Sequence, residues 1–170
     1  GTAWDSFAFD PDLNLLYIGV GNAASWNRKV RSPEGGDNLF VSSIVAVDAD
    51  TGAYRWHYQT TPRDRWDYTA TQQIMLADLP LGDKGASRRV IMQAPKNGFF
   101  YVLDAADGEL ISATPFTNQN WTTGEFDENG RPVLIEEAVD MALTVVIPGP
   151  TGAHNWHPMA FNPDTGLVYI

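Results

Sequence analysis

The sequence has 170 residues, of which 44% are hydrophobic, and its formal net charge is −10. This hydrophobic content suffices for one folded unit with a core, whereas the acidity argues against nucleic acid or an anionic membrane surface as a partner. The chain has no cysteine, which excludes local disulfides, thiolate metal sites and c-type haem attachment within it. No apolar run approaches the roughly 18 residues that a membrane-spanning helix needs, so no membrane span is expected in this segment.

Short apolar runs separated by turn residues recur along the chain. Turn sequences such as Asp-Pro-Asp, Asp-Thr-Gly and Lys-Asn-Gly lie between them, and convincing helical periodicity is absent apart from a possible single turn near 135–142. This pattern predicts an all-β fold. In chain order, the runs expected to form strands are 7–9, 15–20, 43–47, 54–58, 74–76, 90–93, 99–103 and 159–161.

Two kinds of internal repeat indicate a β-propeller. Residues 4–18 align without a gap on residues 156–170, at an offset of 156 − 4 = 152 residues. This offset equals three periods of about 51 residues, a spacing near that of propeller blades. Residues 46–56 form a strand, a turn and a strand ending in a Trp that could cover a blade edge, and residues 102–108 resemble this unit. The repeats predict about three blades.

The two ends of the sequence suggest an internal piece of a longer protein. The chain begins at Gly1 without a Met and stops within the apolar run 167–170. An unpaired hydrophobic strand at the end of a domain would invite aggregation through its exposed edge. We therefore expect residues 1–170 to be a single segment of a propeller domain, inactive alone because an open arc cannot enclose a ligand.

Two local patterns suggest other sites, and each has a simpler explanation. Residues 19–24, Gly-Val-Gly-Asn-Ala-Ala, fit the dinucleotide fingerprint, which requires a helix directly after the glycines. The following residues contain Pro33 and a Gly pair and lack an apolar stripe, so that helix is not expected. His154 and His157 could form a metal pair, but no third ligand is evident, and packing or hydrogen bonding is the preferred interpretation.

Six segments in chain order carry a family resemblance: "GTAWDSFAFDP", "YIGVGN", "KVRSPEGGDNLFVSSIVAVDADTGAYRWHYQTTP", "RWDYTATQ", "QAPKNGFFYVLD" and "PGPTGAHNWHPMAFNPDTGLVYI". Together they resemble the pyrroloquinoline quinone (PQQ)-dependent alcohol dehydrogenases, quinoproteins built on an eight-bladed β-propeller, and look closest to the soluble quinohaemoprotein branch. The unit at 46–56 is similar to the tryptophan-docking repeat of that family. The resemblance covers essentially the whole chain and implies part of the PQQ-binding catalytic domain.

The resemblance also implies a set of cofactor contacts. Trp4 corresponds to the residue whose indole lies flat against the quinone, where an aromatic contact is worth roughly 0.5–1.5 kcal/mol beyond burial. Thr2 corresponds to a hydroxyl donor to a PQQ carboxylate. Lys96 and Asn155 correspond to contacts with the quinone oxygens, where reduction builds negative charge. Trp156, the repeat partner of Trp4, is grouped with the cofactor-binding residues, although the same repeat position could serve packing alone.

A metal site and a catalytic base are implied in the same way. Asn22 corresponds to a calcium ligand, and Asp67 to the catalytic carboxylate that also binds the metal. Asp67 would take the hydroxyl proton of the alcohol, with calcium acting as Lewis acid. The lanthanide-dependent relatives carry an extra Asp two residues further along, where this chain has Thr69. Calcium is therefore the expected ion.

The implied activity is the oxidation of primary alcohols to aldehydes with PQQ and Ca²⁺, in the bacterial periplasm. A cytochrome c or a haem domain would accept the electrons, and any haem c would lie outside this segment. Two alternatives remain open: a non-catalytic propeller scaffold that binds proteins, and a membrane-type PQQ dehydrogenase acting on sugars or polyols. A scaffold would have no reason to hold Asn22, Asp67, Lys96 and Asn155 together.

Taken one at a time, the same residues have structural interpretations. Asp67 could be a turn residue, Trp4 part of a blade core, Lys96 a solvated turn lysine, and Asn22 a left-handed turn residue after Gly21. The ordered match of all six segments favours the functional interpretation, because turn chemistry does not explain why the other segments recur as well.

Overall fold

The computed structural model describes residues 1–81, 83–140 and 145–170, and its strands form antiparallel sheets, which confirms the all-β prediction. Two of the sheets have four strands each, paired in the order in which they occur in the chain. The first contains β1 Phe7–Asp10, β2 Leu15–Gly19, β3 Ser43–Asp48 and β4 Tyr54–Gln59. The second contains β5 Met75–Leu79, β6 Arg88–Gln93, β7 Phe99–Asp104 and β8 Leu110–Pro115.

The remaining elements are short. Two hairpins consist of β9 Thr122–Phe126 with β10 Pro132–Leu134, and of β11 Ala160–Asn162 with β12 Leu167–Tyr169. The helices are α1 Arg28–Arg31, α2 Glu136–Val139 and a 3₁₀ turn at Asp83–Gly85. None of these helices, within the described ranges, has the length and apolar character needed to cross a bilayer. Helix α2 agrees with the helical turn expected near 135–142, of which residues 141 and 142 lie outside the described residues.

The sheets correspond to two complete propeller blades followed by the first hairpin of a third. The repeated sequence unit at 4–18 contains β1 and β2, and its copy at 156–170 contains β11 and β12. One four-stranded sheet lies between them, so the offset of 152 residues spans two blade steps instead of three. These steps are 75 − 7 = 68 and 160 − 75 = 85 residues long. The regular period of 51 residues was therefore wrong, because long connections lengthen each blade.

Trp56 joins the two complete blades. Its indole Nε1 donates a hydrogen bond to the carbonyl oxygen of Ala105 at 3.2 Å, and the hydroxyl of Tyr17 donates to the same oxygen at 2.9 Å. The ring covers Gly108, where an added Cβ would lie only 2.5 Å from Cε3 of Trp56. The Trp of the first docking repeat thus packs on the turn of the second, as the sequence predicted for a residue covering a blade edge.

Three strands were not expected from the sequence: β8, β9 and β10. Most residues of β8 and β9 are exposed or half-buried. The segment Thr-Thr-Gly-Glu-Phe of β9 contains a Gly and a charge and lacks a continuous apolar run. Strands at the periphery of a sheet need only one contact with the core, so they carry a weak hydrophobic signal.

The direction of the strands determines which loops meet. Neighbouring strands within each blade are antiparallel, so the connections that follow β2, β4 and β6 lie at the same end of their blades. We call this end the long-loop end; it carries residues 20–42, 60–74 and 94–98. The turns that follow β3 and β7 lie at the opposite end and are short. The candidate site residues fall in the connections of the long-loop end.

Candidate functional site

Asp67 and Lys96, which sequence reasoning named independently of each other, form an ion pair. The ammonium Nζ of Lys96 lies 3.0 Å from Oδ2 of Asp67 and donates a second hydrogen bond of 3.1 Å to the backbone carbonyl of Asp67. Lys96 is only 6% exposed, so the interpretation of a solvated turn lysine is wrong. A charge-assisted pair at this depth is stronger than one on the surface, because solvent screens it less.

The loop that carries Asp67 is held by buried polar contacts on both sides. Asp67 has a φ of 65°, a left-handed conformation that costs a non-glycine residue roughly 1–2 kcal/mol. Gln93 is fully buried, and its amide Nε2 donates hydrogen bonds of 2.7 Å to the carbonyls of Ala70 and Gln72. The backbone N–H of Ala70 donates to the carbonyl of Val20 at 3.1 Å. The loop is therefore fixed against both blades.

Asn22, Thr2 and Trp4 lie around one glycine. The N–H of Gly21 donates to the carbonyl of Thr2 at 2.9 Å, and a Cβ on Gly21 would lie 3.1 Å from the indole Nε1 of Trp4. This close approach requires a residue without a side chain. Asn22 follows directly, so the predicted metal ligand is the chain neighbour of the segment that carries the predicted quinone contacts. Trp4 is 46% exposed and is therefore not a blade-core residue of this chain.

Asn155 belongs to a segment that packs on Lys96. The N–H of Ala153 donates to the carbonyl of Lys96 at 3.0 Å, and a Cβ on Gly152 would lie 2.4 Å from Cγ of Lys96. The side chain of Asn155 donates through Nδ2 to the carbonyl of Thr151 at 3.0 Å, which directs the segment into a turn. Asn155 is thus connected to the Asp67–Lys96 pair through neighbouring backbone.

Trp156 points elsewhere. Its ring is 60% exposed and stacks on His157, with ring centroids 5.4 Å apart. Within the described part of the chain, no hydrogen bond or ring contact joins Trp156 to Asp67 or Lys96. His154 is buried, and its two ring nitrogens contact the carbonyls of Ala94 and His157 at 2.6 and 2.8 Å. These contacts agree with the structural interpretation of the two histidines.

An apolar cavity of about 150 Å³ lies beside the loop of Asp67. Trp66, the neighbour of Asp67 in the chain, lines it together with Trp26. The opposite wall belongs to the segment that precedes Asn155, and the hydroxyl of Tyr68 donates to the carbonyl of Pro148 in that wall. The full set of lining residues is Trp26, Arg65, Trp66, Val146, Pro148, Gly149 and Pro150.

Two oxygens near the site are buried without a hydrogen-bond partner among the described residues: Oδ2 of Asp5 and Oδ1 of Asn155. An unsatisfied buried acceptor costs roughly 1–3 kcal/mol, so each is a position that a bound donor or cation would stabilise. Across the described ranges, no group of three His, Cys, Asp or Glu side chains could hold a metal ion. A metal at Asn22 and Asp67 would need ligands in addition to these two.

Asp64 is a site residue that sequence reasoning missed. It was read only as part of a Thr-Pro-Arg-Asp turn, yet its side chain is 2% exposed and accepts hydrogen bonds from the N–H groups of Trp66 and Tyr68 at 3.1 and 3.2 Å. Burial raises the pKa of Asp64 to about 7, although these N–H groups and Ser42 oppose the rise. A carboxylate three residues before a predicted base was the available signal.

Comparison with known proteins gives one family. The family described as "Glucose/ethanol/alcohol dehydrogenase, beta-propeller domain", named PQQ, matches residues 1–126. The quinohemoprotein alcohol dehydrogenase ADH-IIG of Pseudomonas putida is 62% identical over the whole chain, and the quinohemoprotein alcohol dehydrogenase of Comamonas testosteroni is 56% identical. The chain spans about a quarter of the length of these relatives, 24% in both cases.

Solved structures agree with this result. The chain superposes on the P. putida enzyme with a TM-score of 0.94, covering 100% of this chain and 25% of that one. It superposes on a europium-containing methanol dehydrogenase with a TM-score of 0.89 at 40% identity, covering 100% of this chain and 29% of that one. The propeller architecture inferred from the repeats is thereby confirmed.

Proposed function

Because the chain belongs to the PQQ family of glucose, ethanol and alcohol dehydrogenase β-propellers, we propose that it is a segment of the catalytic domain of a quinoprotein alcohol dehydrogenase. The whole protein would oxidise primary alcohols to aldehydes and pass the electrons to a cytochrome c or a haem domain. The proposal includes residence in the bacterial periplasm, which rests on the family alone. It treats residues 1–170 as one part of a single propeller domain.

One observation carries the proposal: a half-buried carboxylate is held by a buried ammonium beside an apolar cavity. Oδ2 of Asp67 is engaged by Lys96, while Oδ1 makes no hydrogen bond among the described residues. A positioned carboxylate with one free oxygen is suited to accept a proton. The adjacent cavity, walled by Trp26 and Trp66, suits the carbon chain of a small alcohol and excludes water from the carboxylate.

The residues present fit the quinone. The unpartnered Oδ1 of Asn155 and the ammonium of Lys96 supply polar contacts of opposite character, and the half-exposed indole of Trp4 offers a flat aromatic surface. Thr2 adds a hydroxyl for a carboxylate of the cofactor. Trp156 remains in the proposed set through its repeat relation to Trp4. When bound, the quinone would accept the hydride of the carbinol carbon, and the metal would polarise the accepting carbonyl.

The proposed roles of the chain's own residues follow from these contacts. Asp67 accepts the hydroxyl proton of the alcohol at Oδ1, and Lys96 holds the carboxylate in place through Oδ2. Lys96 also places a positive charge where negative charge would develop on a bound quinone. Asn22 contributes a side-chain oxygen to the metal, together with Asp67.

We propose calcium as the metal. Thr69 occupies the position at which lanthanide-dependent relatives are expected to carry an additional Asp, and its hydroxyl lies 3.1 Å from that of Thr71. Thr69 is buried and contributes no negative charge. A site with fewer carboxylates compensates a divalent ion better than a trivalent one.

The experiment uses the full-length protein that contains this chain. The apoprotein is mixed with PQQ, with or without Ca²⁺, and alcohol-dependent reduction of an artificial dye is followed for the wild type and Asp67→Asn. Turnover that requires PQQ and falls by at least about 10²-fold in Asp67→Asn is expected. The matched control is Asp78→Asn, which breaks an exposed Asp–Arg89 pair of 2.8 Å and should leave turnover unchanged. A wild type that neither binds PQQ nor oxidises alcohols contradicts the proposal and favours a scaffold.

A further inference from the structure

Asp64 lies beneath the loop that carries Asp67 and is bonded on both sides of it. Its Oδ1 accepts hydrogen bonds from the backbone N–H groups of Trp66 and Tyr68, the residues that flank Asp67. A single oxygen thereby fixes the two peptide groups that determine the direction of the Asp67 side chain. We propose that Asp64 is the positioning residue that holds Asp67 against Lys96.

The backbone of Asp67 needs such support. Its φ of 65° is unfavourable for a residue with a Cβ, so the loop keeps this conformation only if surrounding contacts impose it. This twist lets Lys96 donate to the carbonyl and to the carboxylate of the same residue, at 3.1 and 3.0 Å. A relaxed loop would lose at least one of these two contacts.

The second oxygen of Asp64 extends the support to the neighbouring loop. Ser42 Oγ lies 3.2 Å from Oδ2 of Asp64 and also contacts the carbonyl of Tyr68. A hydroxyl has one proton, so both contacts are satisfied when Oδ2 carries a proton and donates to Ser42, which then donates to Tyr68. The raised pKa of Asp64, caused by burial, agrees with this arrangement.

A further contact anchors Asp64 itself. The guanidinium of Arg31 donates through Nη2 to the backbone carbonyl of Asp64 at 2.7 Å, and through the same nitrogen to Asn38 at 2.9 Å. The side chain of Asp64, by contrast, forms no salt bridge among the described residues. A buried carboxyl without a cation is expensive as a purely structural element, which favours a role in positioning Asp67.

The test compares Asp64→Ala and Asp64→Asn in the full-length protein, and its activity arm rests on the proposed function. Asparagine keeps the acceptor for the two N–H groups, and its Nδ2 can donate to Ser42, so Asp64→Asn should stay within about threefold of the wild type. Asp64→Ala should lower kcat by roughly 10²-fold, because misplacing a reacting group by about 1 Å has an effect of that size. It should change the KM for the alcohol much less.

A matched control separates positioning from folding. Asp10 is also a buried carboxylate whose Oδ1 accepts two backbone N–H groups, those of Asp12 and Leu13 at 2.9 and 3.2 Å. Asp10→Ala should lower the melting temperature as Asp64→Ala does, yet leave kcat unchanged. If Asp64→Ala does not fold, Ser42→Ala serves in its place and should lower kcat by about fivefold to tenfold. An unchanged kcat in the folded variant would overturn the inference.

A readout that does not depend on activity keeps this inference separate from the proposed function. In a crystal structure of the Asp64→Ala apoprotein, the distance from Lys96 Nζ to Asp67 Oδ2 should exceed hydrogen-bonding range, whereas in Asp64→Asn it should remain near 3.0 Å. An unchanged distance in Asp64→Ala overturns the positioning role, even if the protein proves to be a dehydrogenase. A lengthened distance supports it, even if no alcohol is oxidised.

Discussion

The contact between Trp56 and Gly108 makes the substitution Gly108→Ala a sharp test of how the two blades are joined. Gly108 has a φ of 79°, and an added Cβ would lie 2.5, 2.8 and 2.9 Å from three carbons of the Trp56 ring. The left-handed conformation costs alanine roughly 1–2 kcal/mol, and overpacking a fixed aromatic ring costs typically 1–3 kcal/mol. We expect Gly108→Ala to lower the free energy of unfolding by about 2–5 kcal/mol.

The control is Gly166→Ala, at the corresponding hairpin position of the third blade. Gly166 has a φ of 68°, and an added Cβ would meet nothing within 4 Å among the described residues. It should therefore show only the backbone term, about 1–2 kcal/mol. Both variants are unfolded with urea in the full-length protein, and tryptophan fluorescence and circular dichroism are recorded. Equal losses in the two variants would refute the steric part of the argument and with it the docking role of Trp56.

Two further predictions concern buried polar groups. Replacing Gln93 with Glu puts a second acceptor in front of two loop carbonyls, so it should cost at least about 2 kcal/mol in urea unfolding; Gln59→Glu, which faces two carbonyls at the half-buried end of β4, should cost clearly less, and equal costs would contradict the burial argument. The pKa of Asp10 is lowered because its bonds to Arg89 and to backbone N–H groups outweigh burial, which alone raises it. This stabilisation is present above the unfolded value of 3.8 and is lost as the pH falls through the lower folded value. Asp10→Asn should therefore flatten the loss of melting temperature below about pH 4, and an unchanged acid limb would contradict this.

Much of the fold could be predicted because strands facing the core leave a strong pattern. The alternation in β2 places Leu15 and Tyr17 in the core and leaves Leu16 and Ile18 half-buried, and the predicted run matched the strand closely. The peripheral strands β8 and β9 gave no such signal because few of their residues face the core. The period of the repeat failed for a different reason: connection lengths are set by the site that the loops form, and packing does not constrain them.

The candidate site was only partly predictable. Asp67 and Lys96 were identified through family resemblance, and the structure adds that they touch, a fact that no spacing of 29 residues could supply. Asp64 was missed because a sequence shows an Asp in a turn but not whether the turn is buried. Trp156 shows the opposite error, since repeat symmetry with Trp4 says nothing about which ring faces the Asp67–Lys96 pair.

The antiparallel blades separate stability from chemistry. Trp56 docks on Gly108 in the turn after β7, at the end of the blades opposite the long-loop end. Asp67 and Lys96 lie at the long-loop end, in the connections that follow β4 and β6. Substitutions at the docking turn should therefore change unfolding without changing quinone affinity, whereas substitutions in the long loops should do the reverse where their side chains are not part of the core. Because odd and even strands run in opposite directions, this division follows from strand parity alone, and any chemistry-bearing residue found after an even-numbered strand belongs to the candidate site's end of the molecule.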